Sequence, residues 1–175
     1  MIHTDHVNLI KKAGKFEGIW AELGSGSGAF TLALRDLGGD EIIIYSIDKD
    51  KYSLEIQKQE FDHKFPNSNI KFKQADFNTE LDLPKLDGIL LANSLHYVKN
   101  QLNFLVNLKK YLKSQSKIII VEYNSSEGNI WVPYPLTYQK LKSYLEQVGF
   151  SNIFKLGSIP SKFLTEIYAV KAQLS

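Results

Sequence analysis

The stretch that decides the fold is AELGSGSGAF, which occupies residues 21–30. The apolar residues leading into it predict a strand over 18–23, and the residues at its end predict a helix over 29–37. The glycines of this stretch permit a tight turn between the two elements and let a ligand lie against bare backbone. The start of the helix also offers backbone N–H groups without partners inside the helix. This strand–turn–helix order predicts a binding site for a polar ligand.

On both sides of this turn, short apolar segments of the length of a strand alternate with segments whose apolar residues recur with the period of a helix. Further strands are predicted over 41–47, 70–74, 87–92 and 117–123, and further helices over 5–13, 51–61, 102–112 and 136–148. Continuous apolar strands separated by helices indicate a parallel sheet covered on both faces.

The C-terminal part departs from this alternation. Two strands, over 153–156 and 163–170, follow without a helix between them. They flank a turn with Gly157, Ser158 and Pro160, and so predict an antiparallel hairpin. The predicted fold is α/β, a Rossmann-like doubly wound mixed sheet of about seven strands, parallel except for this hairpin.

The composition is that of an ordinary globular protein, with 43% hydrophobic and 23% charged residues among 175. We expect one domain over residues 1–175, since this length suits one α/β core. No run approaches the roughly 18 apolar residues of a membrane helix, and no secretory signal is visible. The chain has no cysteine, which excludes disulfides, thiolate metal sites and a cysteine nucleophile. A cytoplasmic protein without membrane contact is expected.

The charge balance argues against nucleic acid as a main partner. The formal net charge is +2, and Arg35 is the only arginine among 21 basic residues. A surface that reads phosphates clusters its cations and favours the planar guanidinium group.

The glycine-rich stretch alone fits two classes of cofactor. Gly24, Gly26 and Ala29 satisfy the fingerprint of dinucleotide-binding proteins. An acid that this fingerprint requires is also available, because Asp48 lies near the end of the second predicted strand. An NAD(P)-dependent or flavin-dependent oxidoreductase is therefore one alternative.

Three features favour a positively charged nucleoside instead. Glu22 lies two residues before the first glycine, where a carboxylate can meet a cationic ligand but gains nothing beside a pyrophosphate. Asp76 and Phe77 follow the third predicted strand, and they add an acceptor and an aromatic ring at the same crevice. In addition, the chain length leaves little room for the substrate-binding part of a dehydrogenase.

At these residues the chain resembles the class I S-adenosylmethionine-dependent methyltransferases, and the resemblance covers nearly its whole length. The stretch 22–28 resembles the family's first motif, in which the acid and glycines surround the methionine part of the cofactor. Asp48 matches the acid that binds both ribose hydroxyls, and Asp76 with Phe77 match the adenine-binding pair. The segment 87–97 resembles the fourth-strand motif, and the C-terminal hairpin resembles the one that closes the family's sheet.

The resemblance implies S-adenosylmethionine as cofactor, S-adenosylhomocysteine as product, and in-line transfer of a methyl group to an acceptor atom. The residues that it assigns to the cofactor site are Glu22, Gly24, Ser25, Gly26, Gly28, Asp48, Lys49, Asp76, Phe77, Asn93 and Ser94. A binding module that keeps the cofactor pocket as a non-catalytic partner subunit is a second alternative.

His96 is the candidate general base, because it follows the fourth strand at the crevice where ligands bind in such sheets. It could instead pack against or cap the next helix, or contact only the cofactor. The acceptor pocket is expected around the loop after the fifth strand, with Tyr123, Trp131, Tyr134 and Tyr138 as walls for a flat or apolar acceptor or for a cation. The alternative is that Trp131 and Tyr134 only pack the loop down, with Pro133 and Pro135 fixing its path.

The sequence lacks motifs that are typical of some classes of methyl acceptor. No Asn/Asp-Pro-Pro-Tyr pattern ends the fourth strand, which argues with the missing cysteine against methylation of DNA bases. A small molecule is favoured, while a protein or RNA acceptor and a homodimer stay open. No metal is expected, because the four histidines are dispersed.

Overall fold

The computed structural model describes residues 1–175 and places seven strands in one sheet. The helices are α1 (His3–Ile10), α2 (Ala29–Gly38), α3 (Lys51–Lys64), α4 (Gln101–Leu108) and α5 (Tyr138–Val148). The strands are β1 (Ile19–Leu23), β2 (Ile43–Asp48), β3 (Asn69–Gln74), β4 (Leu86–Ala92), β5 (Leu112–Tyr123), β6 (Phe150–Pro160) and β7 (Glu166–Leu174). None of the helices combines the length and the apolar character that crossing a bilayer requires.

The strand order is β3-β2-β1-β4-β5-β7-β6. The first five strands pair in parallel, whereas β7 pairs antiparallel with both β5 and β6. The chain moves from β1 toward one edge and returns to the other side of β1 at β4, so the order reverses between these two strands. In sheets of this type ligands bind beyond the carboxyl ends of the strands at such a reversal. The observed sheet confirms the predicted fold.

The central strands are apolar on both faces because each face is covered. In β4, Ile89 and Leu91 pack in the layer that contains α4 and α5, whereas Leu90 and Ala92 pack in the layer that contains α1 and α2. The apolar residues of β5 alternate between the same two layers. This double coverage accounts for the continuous apolar runs in the sequence, and it holds the carboxyl ends of the strands in fixed positions.

The turn of the C-terminal hairpin lies later than the sequence predicted. Gly157 and Pro160 belong to β6, and residues 161–165 form the turn, in which the Ser161 hydroxyl accepts a hydrogen bond from the backbone N–H of Phe163. β6 is an edge strand with two register shifts against β7. An edge position tolerates proline, and glycine often accompanies such register shifts, so these residues were misleading as turn signals.

The fourth helix is shorter and the fifth strand longer than predicted. α4 ends at Leu108, and β5 starts at Leu112 rather than at residue 117. Between Leu112 and Lys117 the register against β4 shifts, and the polar residues there interrupt the apolar run that marks the strand. The other boundaries differ by a few residues, as helix and strand ends commonly do.

Gly88→Ala should destabilise the fold. A carbon added at Gly88 would lie 2.5 Å from the ring of Trp20, which is buried in the core. We expect the free energy of unfolding to fall by about 1–3 kcal/mol, the usual effect of overpacking, as measured by urea unfolding. Gly157→Ala is the control, because nothing lies within 4 Å of its added carbon. Equal losses for the two variants would contradict this account of the packing.

Candidate functional site

The carboxyl ends of β1, β2 and β4 border a cavity of about 500 Å³, a volume within the range of small-molecule sites. It lies where the strand order reverses. All residues predicted for the cofactor site except Gly28 line it: Glu22, Gly24, Ser25, Gly26, Asp48, Lys49, Asp76, Phe77, Asn93 and Ser94. The other lining residues, which were not predicted, are Met1, His6, Ser27, Ala29, Phe30, Asn78, Ala92 and Tyr97.

Backbone amides tie the glycine-rich turn to the end of β2. The N–H groups of Gly24 and Ser25 donate to the Ile47 carbonyl at 2.9 and 3.0 Å. The N–H of Gly26 donates to Asp48 Oδ2 at 2.7 Å. Each carboxylate oxygen has two lone pairs, so Asp48 keeps acceptor capacity for a ligand after it has fixed the turn.

Gly24 and Gly28 are required for different reasons. Gly24 has a φ of +77°, and an added carbon would lie 2.7 Å from the Ser94 side chain and 3.0 Å from the Phe77 ring at the cavity wall. Gly28 has a φ of +89°, and its added carbon would lie 2.5 Å from the Gln57 side chain. A carbon added at Gly28 would thus meet Gln57, and Gly28 is the one residue predicted for the cofactor site that does not line the cavity.

Five buried polar side chains form a network beneath the turn: Glu22, Ser25, Thr31, Ser46 and Gln57. The Thr31 hydroxyl lies 2.5 Å from Glu22 Oε2 and 3.2 Å from Gln57 Oε1. The Gln57 amide donates to Ser25 Oγ at 2.9 Å and to the Gly26 carbonyl at 2.5 Å. The Ser46 hydroxyl lies within hydrogen-bond distance of both Ser25 and Gln57. We call these five residues the polar network.

Sequence reasoning missed three members of the polar network. Thr31, Ser46 and Gln57 lie on buried faces of α2, β2 and α3 and point away from the ligand cavity toward one another. The sequence does contain a sign of this network, because each of the three elements has one polar residue among its buried positions. A buried polar side chain needs a hydrogen-bond partner.

Burial raises the pKa of Glu22 to about 8, while the hydrogen bond with Thr31 opposes this shift and the Asp48 carboxylate adds to it. At neutral pH the Glu22 carboxyl group is therefore mostly protonated. Its proton can be donated to the Thr31 hydroxyl, which then donates to Gln57 Oε1. A cationic ligand group beside Glu22 would favour the ionised form instead.

The acid and the aromatic ring after β3 lie at the rim of the cavity. Asp76 is exposed, and its Oδ1 accepts hydrogen bonds from the backbone N–H and the side-chain amide of Asn78 at 2.9 and 3.0 Å. Phe77 packs edge-on against Phe104, with 5.7 Å between ring centroids. Asp76 Oδ2 is therefore open to a ligand donor beside a fixed aromatic wall. Lys49 lines the exposed rim as well.

Asn93 and Ser94 follow β4 and differ in their free hydrogen-bonding capacity. Asn93 adopts the left-handed region with a φ of +53°, and its side-chain Oδ1 is buried without a hydrogen-bond partner in the protein. The Ser94 hydroxyl donates to the Leu23 carbonyl at 2.7 Å. Asn93 is thus available to a ligand, whereas the only hydroxyl proton of Ser94 ties β4 to β1.

His96 and Glu122 form a buried pair beside this cavity. His96 Nδ1 lies 2.8 Å from Glu122 Oε2, and the backbone N–H of His96 donates to Glu122 Oε1 at 3.0 Å. The His96 side chain is only 2% exposed and the Glu122 side chain is fully buried. The His96 ring lies outside the lining of the larger cavity, which argues against a role limited to cofactor contact. Glu122 was missed, although an acid within an apolar strand was a usable signal.

A second cavity of about 180 Å³ lies on the other side of His96. We call it the aromatic pocket, and its lining residues are Asn93, His96, Tyr97, Tyr123, Trp131, Val132 and Phe163. Asn93 and Tyr97 line both cavities, so the two adjoin each other. Phe163 was missed because it belongs to the β6–β7 turn, which the sequence does not connect to this pocket.

Two of the four aromatic residues predicted for the acceptor pocket lie in the aromatic pocket, Tyr123 and Trp131. Tyr138 instead packs edge-on against Tyr168, with 6.0 Å between ring centroids. Tyr134 acts through its backbone, since its N–H donates to the His96 carbonyl at 3.0 Å. Neither Tyr134 nor Tyr138 lines the aromatic pocket.

A sequence profile described as a methyltransferase domain matches residues 20–168. The chain therefore belongs to this methyltransferase domain family. No curated protein matches its sequence.

Solved structures share the fold at low sequence identity. A SAM-dependent methyltransferase from Aquifex aeolicus has a TM-score of 0.75 at 19% identity, over 98% of this chain and 90% of that one. The YcgJ protein of Bacillus subtilis has a TM-score of 0.77 at 10% identity, over 98% and 99% of the two chains. The N-terminal domain of EvdMO1, crystallised with SAH bound, has a TM-score of 0.75 at 19% identity, over 100% and 82%. Family and fold together confirm the resemblance that the motifs indicated.

Glu22→Gln should remove a pH dependence of stability. Because the pKa of Glu22 is raised to about 8 in the folded protein, the protonated form stabilises the fold at low pH. This stabilisation declines as pH rises from the usual glutamate pKa of about 4.3 toward the folded value. As the pH rises from about 5 to about 9, we expect the free energy of unfolding of Glu22→Gln to increase relative to that of the natural protein, as measured by urea unfolding.

The exposed Glu127 provides the control, because Glu127→Gln should show the same pH dependence as the natural protein. A constant stability difference for Glu22→Gln across this pH range would contradict a raised Glu22 pKa.

Proposed function

We propose that this protein transfers a methyl group from S-adenosylmethionine to a small-molecule acceptor. The observation that carries the proposal is the adjacency of two cavities at the carboxyl edge of the sheet. One is lined by Glu22, Asp48 and Asp76, and the other contains His96. The family assignment supports methyl transfer, and residues 1–175 are proposed to act as one cytoplasmic catalytic domain.

The larger cavity fits the cofactor in volume and in chemistry. Asp48 and Asp76 both have carboxylate oxygens free to accept further hydrogen bonds. Asp48 suits the ribose hydroxyls, and Asp76 suits the exocyclic amine of adenine. Phe77 offers a fixed wall to the adenine ring. At the opposite end, the glycine turn exposes backbone, and nothing lies within 4 Å of a carbon added at Gly26. Glu22 lies beneath this turn, where it can respond to the positive charge of the methionine part.

S-adenosylmethionine supplies an electrophilic methyl group, so the main tasks of the protein are to position the acceptor and to remove its proton. His96 is suited to the second task. When Glu122 accepts a hydrogen bond from Nδ1–H, the lone pair of His96 is on Nε2. Of the two ring nitrogens of His96, only Nδ1 makes a hydrogen bond to the protein, so Nε2 is free to accept a proton. Glu122 thus acts as a positioning residue that fixes the tautomer and the ring orientation.

The size of the aromatic pocket favours a small acceptor. A pocket of about 180 Å³ accommodates one substituted ring. The net charge of +2 offers no general attraction for RNA. An oxidoreductase is disfavoured by the family assignment, and a non-catalytic partner subunit is disfavoured by the presence of a buried carboxylate–histidine pair next to the cofactor cavity.

Asp48→Asn should weaken the binding of S-adenosylmethionine and S-adenosylhomocysteine, because it removes the charge from the hydrogen bonds with the ribose. The expected loss is about 1.5–3 kcal/mol, measured by calorimetric titration. Asp62→Asn, an exposed change in α3, is the control with unaltered affinity. NADH is titrated in parallel. Binding of NADH in place of both sulfur nucleosides would overturn the proposed cofactor.

His96→Asn should lower the rate of S-adenosylhomocysteine formation in an acceptor screen by about 10²–10⁴-fold, the usual contribution of a general base. The affinity for S-adenosylmethionine should not change, because the His96 ring lies outside the cofactor cavity. His63→Asn, which alters an exposed residue of α3, controls for the loss of an imidazole. Full activity of His96→Asn would remove this residue from the mechanism.

A further inference from the structure

Aromatic side chains form most of the walls of the aromatic pocket. Four aromatic side chains surround it, and they are Tyr97, Tyr123, Trp131 and Phe163. They come from three separate parts of the chain: the segment after β4, the end of β5 with the loop that follows, and the β6–β7 turn. Convergence of aromatic rings from such distant segments on one small cavity is typical of a binding site for a flat or apolar group.

These rings are more exposed than packing alone explains. Trp131 is 70% exposed, Phe163 is 71% exposed and Tyr97 is 57% exposed. Large aromatic side chains that cluster in solvent usually mark a surface that a ligand or partner covers. Here they border a cavity that adjoins the cofactor cavity, so the group that covers them lies next to the methyl donor.

The polar side chains that line the pocket are those of Asn93, His96, Tyr97 and Tyr123, and the buried Asn93 Oδ1 has no hydrogen-bond partner in the protein. The hydroxyls of Tyr97 and Tyr123 and the Nε2 atom of His96 make no hydrogen bond to the protein. No Asp, Glu, Lys or Arg lines the pocket. The nearest carboxylate, Glu122, is fully buried, and its oxygens accept hydrogen bonds from His96 and from backbone N–H groups.

We propose that the acceptor is a neutral phenolic small molecule whose ring lies among Tyr97, Trp131 and Phe163 with its hydroxyl directed at His96. This inference rests on the proposed methyl transfer and specifies its substrate class.

The absence of charge in the pocket separates a phenol from an amine. A protonated amine would find no carboxylate among the lining residues to pair with its charge. Its nitrogen would also have no lone pair for attack. A phenol enters neutral, and its hydroxyl can donate a hydrogen bond to His96 Nε2.

Acidity separates a phenol from an aliphatic alcohol. A phenolic hydroxyl has a pKa of about 10, close enough to that of an imidazole for proton removal during transfer. An aliphatic hydroxyl is far less acidic. The flat ring also matches aromatic walls better than a puckered saturated ring, because aromatic pairs gain from offset-stacked or edge-on contact.

The transfer conserves atoms and charge. The phenolic proton passes to His96 Nε2, and an oxygen lone pair forms the new bond to the methyl carbon. The carbon–sulfur bond breaks with its electron pair on sulfur, which gives neutral S-adenosylhomocysteine and a methyl ether. His96 then releases its proton to solvent.

Tryptophan fluorescence reports binding in the pocket directly. The chain has two tryptophans, of which Trp20 is 1% exposed and Trp131 is 70% exposed. Three probes of similar size are titrated into the protein saturated with S-adenosylhomocysteine: 4-methylphenol, 4-methylcyclohexanol and 4-methylbenzylamine. We expect saturable quenching of Trp131 by the phenol, with an affinity at least about tenfold higher than that for the other two, equivalent to about 1.4 kcal/mol.

Variants assign the signal to the pocket. Phe163→Ala should weaken phenol binding by about tenfold or more, and Trp131→Phe should abolish the quenching while calorimetry still detects the phenol. Ile130→Ala is the matched control, because Ile130 is 86% exposed next to Trp131 but does not line the pocket. An equal effect of Phe163→Ala and Ile130→Ala would overturn the assignment of the ring site.

Incubation of each probe with S-adenosylmethionine, followed by mass spectrometry, completes the test. The expected product is the methyl ether of 4-methylphenol. Preferential binding or methylation of the amine or the saturated alcohol would overturn the phenolic assignment, and so would absence of any phenol binding. In those cases, unchanged binding of S-adenosylmethionine in calorimetry leaves the proposed methyl transfer standing. Absence of that binding would instead overturn the proposed function itself.

Discussion

The site depends on the hydrogen bonds that fix the glycine-rich turn against the end of β2. Two turn amides donate to the Ile47 carbonyl, and the Gly26 amide donates to Asp48. Gln57 supports the turn from below through the Gly26 carbonyl. A turn with this many glycines would be mobile without such contacts, since glycine restricts the backbone least. The same contacts place the Asp48 carboxylate at the cavity, so one set of bonds fixes both the turn and a lining side chain.

Two buried acids at this edge of the sheet, Glu22 and Glu122, differ in their hydrogen-bond partners. Glu22 has the Thr31 hydroxyl as its hydrogen-bond partner, and burial raises its pKa. Glu122 accepts hydrogen bonds from the His96 ring and from backbone N–H groups. A buried carboxyl group with few donors favours the neutral form. Glu22, with its raised pKa, thus lies beneath the larger cavity, and Glu122 lies behind His96 as a hydrogen-bonded acid.

Much of the fold and of the larger cavity could be predicted from the sequence, because both follow from local patterns. Apolar runs mark strands, and acids such as Asp48 and Asp76 that follow parallel strands meet at one edge. The polar network could not be predicted in the same way, because Thr31 and Gln57 become partners only when α2 and α3 pack on the sheet. Likewise, Phe163 reaches the aromatic pocket only through the pairing of β6 with β7.

The central claim is that the cofactor's methyl group points at the junction of the two cavities. The most direct measurement is a crystal structure of the protein with S-adenosylhomocysteine. We expect ribose hydroxyls on Asp48 and a sulfur atom at the junction formed by Asn93 and Tyr97, open toward the aromatic pocket. A sulfur atom directed instead at the N-terminal residues Met1 and His6, with the aromatic pocket cut off from it, would contradict the account.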